Sequence, residues 1–505
     1  MNQSSSQLEN GYGQIIRSSF IIGGATGINY IIGLMRTKAV AVLLGPSGVG
    51  LVGLYVSLAG LISTVAQLGI NQSGVREVAE AHGTGDPQRV AKVTKTLRRI
   101  CWITGVLGWI LTAALAWPLS LWTFGSSERL WPIAILGSTV LISAVIGGQT
   151  ALIQGMRRIG DLARIQVLSA VLTTMVAIGL YAWLSEEGIV PVIILTAVIQ
   201  LGFSWYYSRK IQITEIPQSW AETASASKRL ISLGAALMYG AVLAGIVGLA
   251  LRSIIVRNLG LEANGLFQAA WMISGMFAGF ILSAMGTDFY PRLTAVAHDN
   301  EQVNKLVNEQ IEIGILLAVP GLLGALAFAP WLMHLLYSAK FLQGADLLPW
   351  FLIGVFGQVI SWPLGMVQQA KAATGWLYFS RTHGAVVQFV SAAGLMYVLG
   401  LVGVAIGFVI YIWLQLILTL FIAHRLSGFR FKTEVLHFLS LCLGMIVFGG
   451  LCSALLPSPW SILVSGSVCG LGVVWTVRKL RKRMPLALYF NRFVCKVFSG
   501  LRKQA

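Results

Sequence analysis

The sequence predicts an all-α polytopic membrane protein of about 14 transmembrane helices, built from two repeat-related six-helix lobes plus two extra C-terminal spans. Hydrophobic residues make up 56% of the 505-residue chain and charged residues only 11%, which is far from the composition of a soluble globular protein. The apolar segments run continuously and lack the alternation of a membrane barrel strand. A short sequence pattern also recurs after 215 positions, which predicts two similar halves.

The recurring pattern consists of three dipeptides at a single ungapped offset. The matches are Gly33-Leu34 with Gly248-Leu249, Leu44-Gly45 with Leu259-Gly260, and Gly50-Leu51 with Gly265-Leu266. Each copy reads as a glycine-rich apolar helix, a glycine-containing turn and a second apolar helix. Chance similarity is the alternative, because Gly and Leu are common in membrane helices. Three matches in one register favour a true repeat, and internal repeats are a usual architecture of secondary transporters.

Fourteen apolar segments are long enough to be candidate spans. They are 15–44, 49–70, 100–124, 131–155, 162–184, 189–207, 230–259, 265–287, 312–336, 347–370, 383–400, 402–423, 436–456 and 460–477. The spans predict an N-terminal lobe (1–207), a polar cytoplasmic linker (208–228), a C-terminal lobe (229–423), two additional spans (424–477) and a basic amphipathic tail (478–505). The tail has two interpretations, an interfacial helix on anionic lipid or a disordered basic segment.

Polar stretches precede the third span of each half. Asp86 can cap a helix that has Pro87 in its first turn, and Asp299 precedes a comparable polar stretch in the second half. We therefore expect each half to place a surface helix at the cytoplasmic face before its third span.

The net charge of +18 follows the topology of the predicted spans. With a cytoplasmic N-terminus, the cytoplasmic loops hold most cations, whereas the opposite loops carry Glu128, Glu186, Glu187, Glu262 and Asp346. This positive-inside pattern predicts a multi-pass protein of the bacterial inner membrane with both termini in the cytoplasm. The basic excess therefore indicates orientation in a lipid bilayer, and no nucleic-acid partner is expected.

Enzyme signatures are missing from the sequence. It contains no phosphate-binding loop ending in Gly-Lys-Ser/Thr, no His-Glu-x-x-His and no Gly-x-Ser-x-Gly elbow. The five cysteines lie in or beside apolar segments without metal-ligand spacing. We expect a protein that is not an enzyme and has no catalytic residues, metal or cofactor.

Cations inside the spans are the strongest candidates for a functional site, since each costs at least ~2.5–3.5 kcal/mol at a helix centre unless it faces partners or water. The first span contains Arg36 and Lys38, and the seventh contains Arg252 and Arg257, with Arg252 one residue out of register with Arg36. One interpretation is a hydrated cationic cavity for an anionic ligand, because the guanidinium binds phosphate oxygens bidentately. The alternative is that these side chains snorkel to the far interface.

One acidic residue at the end of the eighth span is a candidate for coupling or gating. Asp288 could pair with a cavity arginine or carry a proton, or it could bond to Arg292 at the membrane surface, and the second interpretation is slightly favoured.

Three segments carry a resemblance to a known family: the Gly33-Leu34 region, residues 44–51 and residues 286–293. Together they resemble the O-antigen and polysaccharide flippases of the multidrug/oligosaccharidyl-lipid/polysaccharide exporter superfamily. The resemblance covers residues 14–425 and implies a V-shaped bundle of two six-helix lobes. It also implies that lipid-linked oligosaccharides on undecaprenyl diphosphate move from the cytoplasmic to the periplasmic leaflet by alternating access.

In that family, the first, second, seventh and eighth spans line the cavity and cations meet the diphosphate. The matching positions are Arg36 and Arg252, with Arg17 possible at the cytoplasmic mouth. Association with polysaccharide polymerase machinery is a further expectation. The last two spans and the tail go beyond the twelve-span core and are similar to those of fourteen-span members.

Two rival functions stay open at the level of the sequence. A cation-coupled multidrug exporter of the same superfamily would favour a carboxylate-rich cavity, whereas the charges within the spans here are mostly Arg and Lys. A polysaccharide polymerase or ligase would need a large periplasmic loop, and the candidate outside loops are only a few residues long.

Overall fold

The computed structural model describes the backbone of residues 2–214, 216–455 and 460–483. Side chains are described from Gly24 onward except at positions 215, 229, 233, 236, 237, 284, 287, 288, 451–463, 477 and 480–505. Within these ranges the chain consists of helices and short turns without a strand, which confirms the all-α prediction. The predicted tail helix after Arg483 lies outside the described residues.

The helices follow one another with short connections. They are α1 (Asn2–Gln67), α2 (Ile70–Gly83), α3 (Pro87–Ala114), α4 (Ala116–Phe124), α5 (Leu130–Gly155), α6 (Ile159–Leu184), α7 (Ile189–Arg209), α8 (Trp220–Ala295), α9 (Asn300–Ala327), α10 (Ala329–Leu336), α11 (Leu348–Ala370), α12 (Thr374–Ser427), α13 (Thr433–Leu455) and α14 (Trp460–Arg483). Single 3₁₀ segments lie at Ser185–Gly188 and Ala339–Leu347.

Nine segments of the described chain are apolar and long enough to cross a membrane. Four of them are 44 to 54 residues long, about twice the length that one crossing needs. Each of the four contains a break where the sequence predicts a boundary between two spans, at Gly45, Ser185–Gly188, Gly260 or Gly400. With the shorter apolar helix Val464–Thr476, these segments agree with the predicted polytopic architecture.

The breaks at Gly45 and Gly260 are equivalent in the repeat. Their backbone angles are similar, with φ 66° and ψ −171° at Gly45 and φ 91° and ψ 172° at Gly260. L side chains rarely adopt such positive φ values, and a glycine has no Cβ to oppose them. The repeated Leu-Gly dipeptide thus ends one membrane helix and begins the next in both halves.

Proline breaks two segments that the sequence predicts as single spans, 100–124 and 312–336. The structure ends α3 at Ala114 and begins α4 at Ala116, and it ends α9 at Ala327 and begins α10 at Ala329. Pro118 and Pro330 lie just after these breaks. Proline lacks the N–H that would bond to the carbonyl one turn earlier, so a continuous helix is interrupted at both places.

The predicted Asp86 cap is present, and Asp299 caps the comparable helix of the second half. The Asp86 carboxylate accepts from the Gln88 N–H at 2.9 Å, and Asp299 accepts from the N–H groups of Glu301 and Gln302 at 3.0 and 3.1 Å. The bonds from Gln302 and Glu301 hold the pKa of Asp299 below its ordinary value. The expected separate surface helices are wrong, because α3 and α9 each continue from the polar turns into the apolar segment.

Loss of the α3 cap is expected to destabilise the protein measurably. Asp86→Ala leaves the first N–H groups of the helix without the side-chain acceptor, at a cost of about 0.5–2 kcal/mol. Thermal unfolding of the purified protein should show a lower midpoint for Asp86→Ala and a value near wild type for Asp86→Asn, since Asn also caps. Equal midpoints for all three proteins would contradict this role.

The helices group into two compact units. The first comprises Met1–Ala269 with Met333–Gln343, and the second comprises Ala270–Leu332 with Gly344–Ala505. A buried cluster in the first unit contains Leu51, Leu54 and Ile133. In the second unit, the rings of Trp271, Phe351 and Phe408 pack together with centroids 5.1–5.6 Å apart. The predicted lobe boundaries stay a prediction.

Candidate functional site

The two repeated turns contact each other within the first unit. A Cβ added to Gly50 would lie 2.3 Å from the Leu261 carbonyl oxygen, and one added to Gly265 would lie 1.9 Å from the Pro46 carbonyl oxygen. Pro46 and Leu261 are themselves separated by the repeat offset of 215 positions. The contact is therefore reciprocal, and we call residues 45–53 with 260–268 the repeat junction.

A polar side chain also joins the two halves of the repeat junction. The buried Asn264 donates from Nδ2 to the Gly50 carbonyl oxygen at 2.7 Å. This bond satisfies a backbone acceptor close to the glycine contact, where the Gly45–Pro46 turn interrupts α1. Close approach and hydrogen bonding together fix how the two turns meet.

Arg252 lies beside the repeat junction and is held there by Gln268. Its Nε and Nη2 donate to the Gln268 Oε1 at 3.3 and 2.9 Å, and its Nη1 donates to the Gly248 carbonyl oxygen at 3.1 Å. The guanidinium carbon also lies 5.5 Å from the centroid of the Phe267 ring. Gln268 in turn packs on Gly53, where an added Cβ would lie 3.0 Å from Oε1.

These bonds orient the guanidinium but occupy only some of its N–H donors. A guanidinium has five N–H donors, and the contacts with Gln268 and Gly248 use three of them. The side chain of Arg252 is only partly buried. Among the side chains that the structure describes, none uses the other two donors, so the arrangement can present a positioned cation to an anionic ligand.

Arg36 lies on the other repeat-related helix, α1, which belongs to the first unit. Its guanidinium interacts with the hydroxyl group of Tyr181, a residue of α6 that is 2% exposed. Tyr181 belongs to the same buried cluster as Leu249, which is one helical turn before Arg252. The helices that carry the two predicted cations thus contribute to one cluster.

The other predicted cations have different surroundings. Lys38 donates from Nζ to the carbonyl oxygen of His334 at 2.7 Å, so its charge is directed to the end of α10. Arg257 is exposed, and its Nε lies 3.8 Å from the Cβ position of Gly125, in the turn after α4. The contacts of Lys38 and Arg257 therefore differ from those of Arg252, which is held by Gln268 beside the repeat junction. The side chains of Arg17 and Asp288 lie outside those that the structure describes.

Three residues of the site were missed by the sequence analysis, which examined charged residues in the spans. Gln268, Asn264 and Tyr181 are uncharged and give no such signal. The repeat register offered one signal, because Gln268 lies 215 positions after Gly53, within the segment where the halves otherwise match.

Comparison with known families identifies the chain. Residues 15–297 match the family described as "Polysaccharide biosynthesis protein", which is more than half of the sequence. The chain belongs to this family. Its described helices, nine of which are long and apolar enough to cross a membrane, make it an all-α multi-pass membrane protein.

The individual proteins that resemble this chain have low sequence identity to it. The protein is 21% identical over 370 residues to the Lipid III flippase of Escherichia coli (strain K12), covering 71% of this chain and 86% of the relative. Its fold is similar to the inward closed conformation of the Lipid II flippase MurJ, with a TM-score of 0.66, 14% identity, and coverage of 92% and 99% of the two chains.

A third similar protein is a transporter of known structure. The inward-facing conformation of a multidrug resistance MATE family transporter of the MOP superfamily matches with a TM-score of 0.63 at 17% identity, covering 79% of this chain and 95% of that one. At these low sequence identities, the similarity to the two solved structures shows the fold alone.

Proposed function

We propose that this protein is a flippase for an oligosaccharide linked to undecaprenyl diphosphate, such as an O-antigen or related polysaccharide repeat unit. It moves the substrate from the cytoplasmic to the periplasmic leaflet of the bacterial inner membrane by alternating access, and both of its termini are cytoplasmic. The observation that carries the proposal is the Arg252 guanidinium, which Gln268 orients beside the repeat junction and which has two N–H donors that no described residue uses.

The chemistry of such a substrate matches this site. The sugar and diphosphate cannot cross about 30 Å of hydrocarbon unaided, whereas the polyprenyl tail is apolar and can stay in lipid. Diphosphate oxygens are strong acceptors that pair with the planar fork of arginine. The Gln268 amide supplies N–H donors of its own beside the cation, because its Oε1 already accepts from Arg252. Translocation then needs binding and release but no covalent step.

Family membership and the Escherichia coli Lipid III flippase support a lipid-linked sugar as cargo. Arg36 is the second diphosphate ligand in the proposal, because it is on the repeat-related helix and belongs to the same packed region. Arg17, Lys38 and Arg257 are further candidate ligands, and Asp288 is a candidate for coupling or gating. Polysaccharide polymerase machinery is the proposed downstream partner.

Depletion of the protein tests the cargo directly. Mass spectrometry of polyprenyl-linked sugars in depleted cells is expected to show a build-up of complete diphosphate-linked repeat units, because synthesis continues on the cytoplasmic side while export stops. The control is the same strain carrying the wild-type gene on a plasmid, in which the intermediates should return to their normal level.

The location and identity of the intermediates separate the alternatives. Accumulation confined to the cytoplasmic leaflet supports the flippase and identifies its cargo. Unchanged intermediates contradict it and favour a multidrug exporter, while accumulation on the periplasmic side contradicts it in favour of a polymerase or ligase.

A further inference from the structure

A cavity separate from the repeat junction lies between α3, α5 and α7. It has a volume of about 390 Å³ and is lined at one end by Arg98 and Arg209. The rest of its lining is mostly small or apolar, with Cys101, Val145 and Leu201, and it also includes Gln149 and Ser208. The cavity therefore combines a cationic entrance with a mostly apolar interior.

The two arginines mark one membrane interface. Arg98 lies where the polar first turns of α3 give way to the apolar segment that begins at Ile100, and Arg209 is the last residue of α7. Trp102 and Trp205 line the same cavity and are 54% and 50% exposed. Half-exposed tryptophans beside cations are typical of the level of the lipid headgroups.

The charges at this entrance have no described counter-ion. Both side chains are exposed, Arg98 experiences the repulsive charge of Arg209, and the described ion pairs involve neither of them. The guanidinium carbon of Arg209 lies 3.9 Å from the centroid of the Trp205 ring, which orients it by a cation–π contact. An anion between the two guanidinium groups would relieve their repulsion and accept hydrogen bonds from both.

The neighbouring Arg99, in contrast to Arg98, is hydrogen-bonded to other described residues. Its Nη1 donates to the carbonyl oxygens of Gln218 and Ser219 at 3.1 and 3.3 Å and to the Thr223 hydroxyl at 2.7 Å. Its guanidinium also stacks on the Trp220 ring at 4.4 Å. Arg99 is thus bound to the first turn of α8 and the two residues before it, whereas Arg98 lines the cavity.

We infer that this cavity binds the phosphodiester headgroup of an anionic phospholipid, with Arg98 and Arg209 on the phosphate and the upper part of an acyl chain over Cys101, Val145 and Leu201. The inference is independent of the proposed cargo, because none of these residues belongs to the repeat junction. A lipid is favoured over a soluble phosphate compound because the lining beyond the arginines is mostly apolar and includes tryptophans at headgroup level.

Native mass spectrometry of the full-length protein tests the site with added phosphatidylglycerol or phosphatidylcholine. We expect the wild type to retain one phosphatidylglycerol and Arg98→Gln/Arg209→Gln to bind it at least about tenfold more weakly, because the loss of even one charge-assisted hydrogen bond has that effect and this variant loses the bonds of two arginines. The matched control, Arg89→Gln/Lys92→Gln, removes two cations from α3 that do not line the cavity and should retain the lipid. Arg98→Lys/Arg209→Lys keeps the charge and should bind with intermediate affinity.

Three outcomes would overturn the inference. Equal retention of phosphatidylglycerol by the wild type and Arg98→Gln/Arg209→Gln excludes the arginines as ligands. Equal retention of phosphatidylcholine by the wild type excludes selection for an anionic lipid. Displacement by glycerol 1-phosphate at concentrations equal to the lipid would assign the site to a soluble phosphate compound. If the double Gln variant does not fold, Arg209→Gln alone carries the same comparison.

Discussion

Gly265→Ala is expected to lower transport by about tenfold, because the new methyl group has no room in the repeat junction. Its Cβ would lie 1.9 Å from the Pro46 carbonyl oxygen and 2.6 Å from the carbonyl carbon. These are backbone atoms, so the two turns must separate, at a cost of about 1–3 kcal/mol for overpacking. Gly50→Ala should act in the same direction, since its Cβ would meet the Leu261 carbonyl oxygen at 2.3 Å.

Glycines in open positions of the same two helices provide the matched controls. An added Cβ at Gly60 of α1 or at Gly275 of α8 has no atom within 4 Å among those described. Gly60→Ala and Gly275→Ala should therefore transport normally in the precursor-accumulation assay, at wild-type abundance in the membrane. Normal transport by Gly265→Ala and Gly50→Ala would show that the turns can move apart freely and that the close contact has no role.

Arg252→Ala is expected to abolish transport with normal abundance of the protein in the membrane. The substitution removes the cation and leaves Gln268 without its partner. A charge-assisted hydrogen bond contributes about 1.5–3 kcal/mol, which corresponds to about a tenfold to hundredfold loss in substrate binding for each bond to the diphosphate. Arg252→Lys should rescue partly, because an ammonium keeps the charge but cannot span Gln268 and Gly248 as the guanidinium does. For Arg36 we likewise expect Arg36→Ala to abolish transport and Arg36→Lys to restore it in part.

The position of the arginine is tested separately from its charge. Gln268→Leu keeps the cation but removes the acceptor of two of its bonds, so we expect a smaller loss than for Arg252→Ala and no further loss in the double variant. Lys340→Ala, which removes an exposed cation elsewhere in the first unit, is the control for net charge. Full transport by Arg252→Ala would reduce this residue to a structural anchor.

The repeat explains why much of the fold was predictable. Each Leu-Gly dipeptide places a glycine where two apolar stretches meet, and both Gly45 and Gly260 have the positive φ that such a turn requires. Asp86 and Asp299 cap the helices that follow, because each carboxylate lies just before a helix and accepts from an N–H group of its first turn. These features depend on residues close together in the sequence, so local pattern is enough to find them.

The surroundings of the cations were not predictable in this way. Lys38 bonds to a carbonyl oxygen 296 positions later, and nothing in either segment alone indicates the pairing. Arg252 and Arg36 were found because a charge inside a span is conspicuous, but their partners Gln268 and Tyr181 are neutral residues of ordinary appearance. The paired breaks before Pro118 and Pro330 were missed because the apolar stretches continue through them.

The contact between Gly53 and Gln268 has a consequence for the origin of the molecule. These positions are equivalent in the repeat, yet one has no side chain and the other fills the space with an amide that holds Arg252. A dimer of identical half-length chains would place the same residue on both sides of its symmetry axis. Such an ancestor would have had two glycines or two competing glutamines there. A fused chain can give the two positions different residues, so the glutamine that holds Arg252 has no counterpart across the junction.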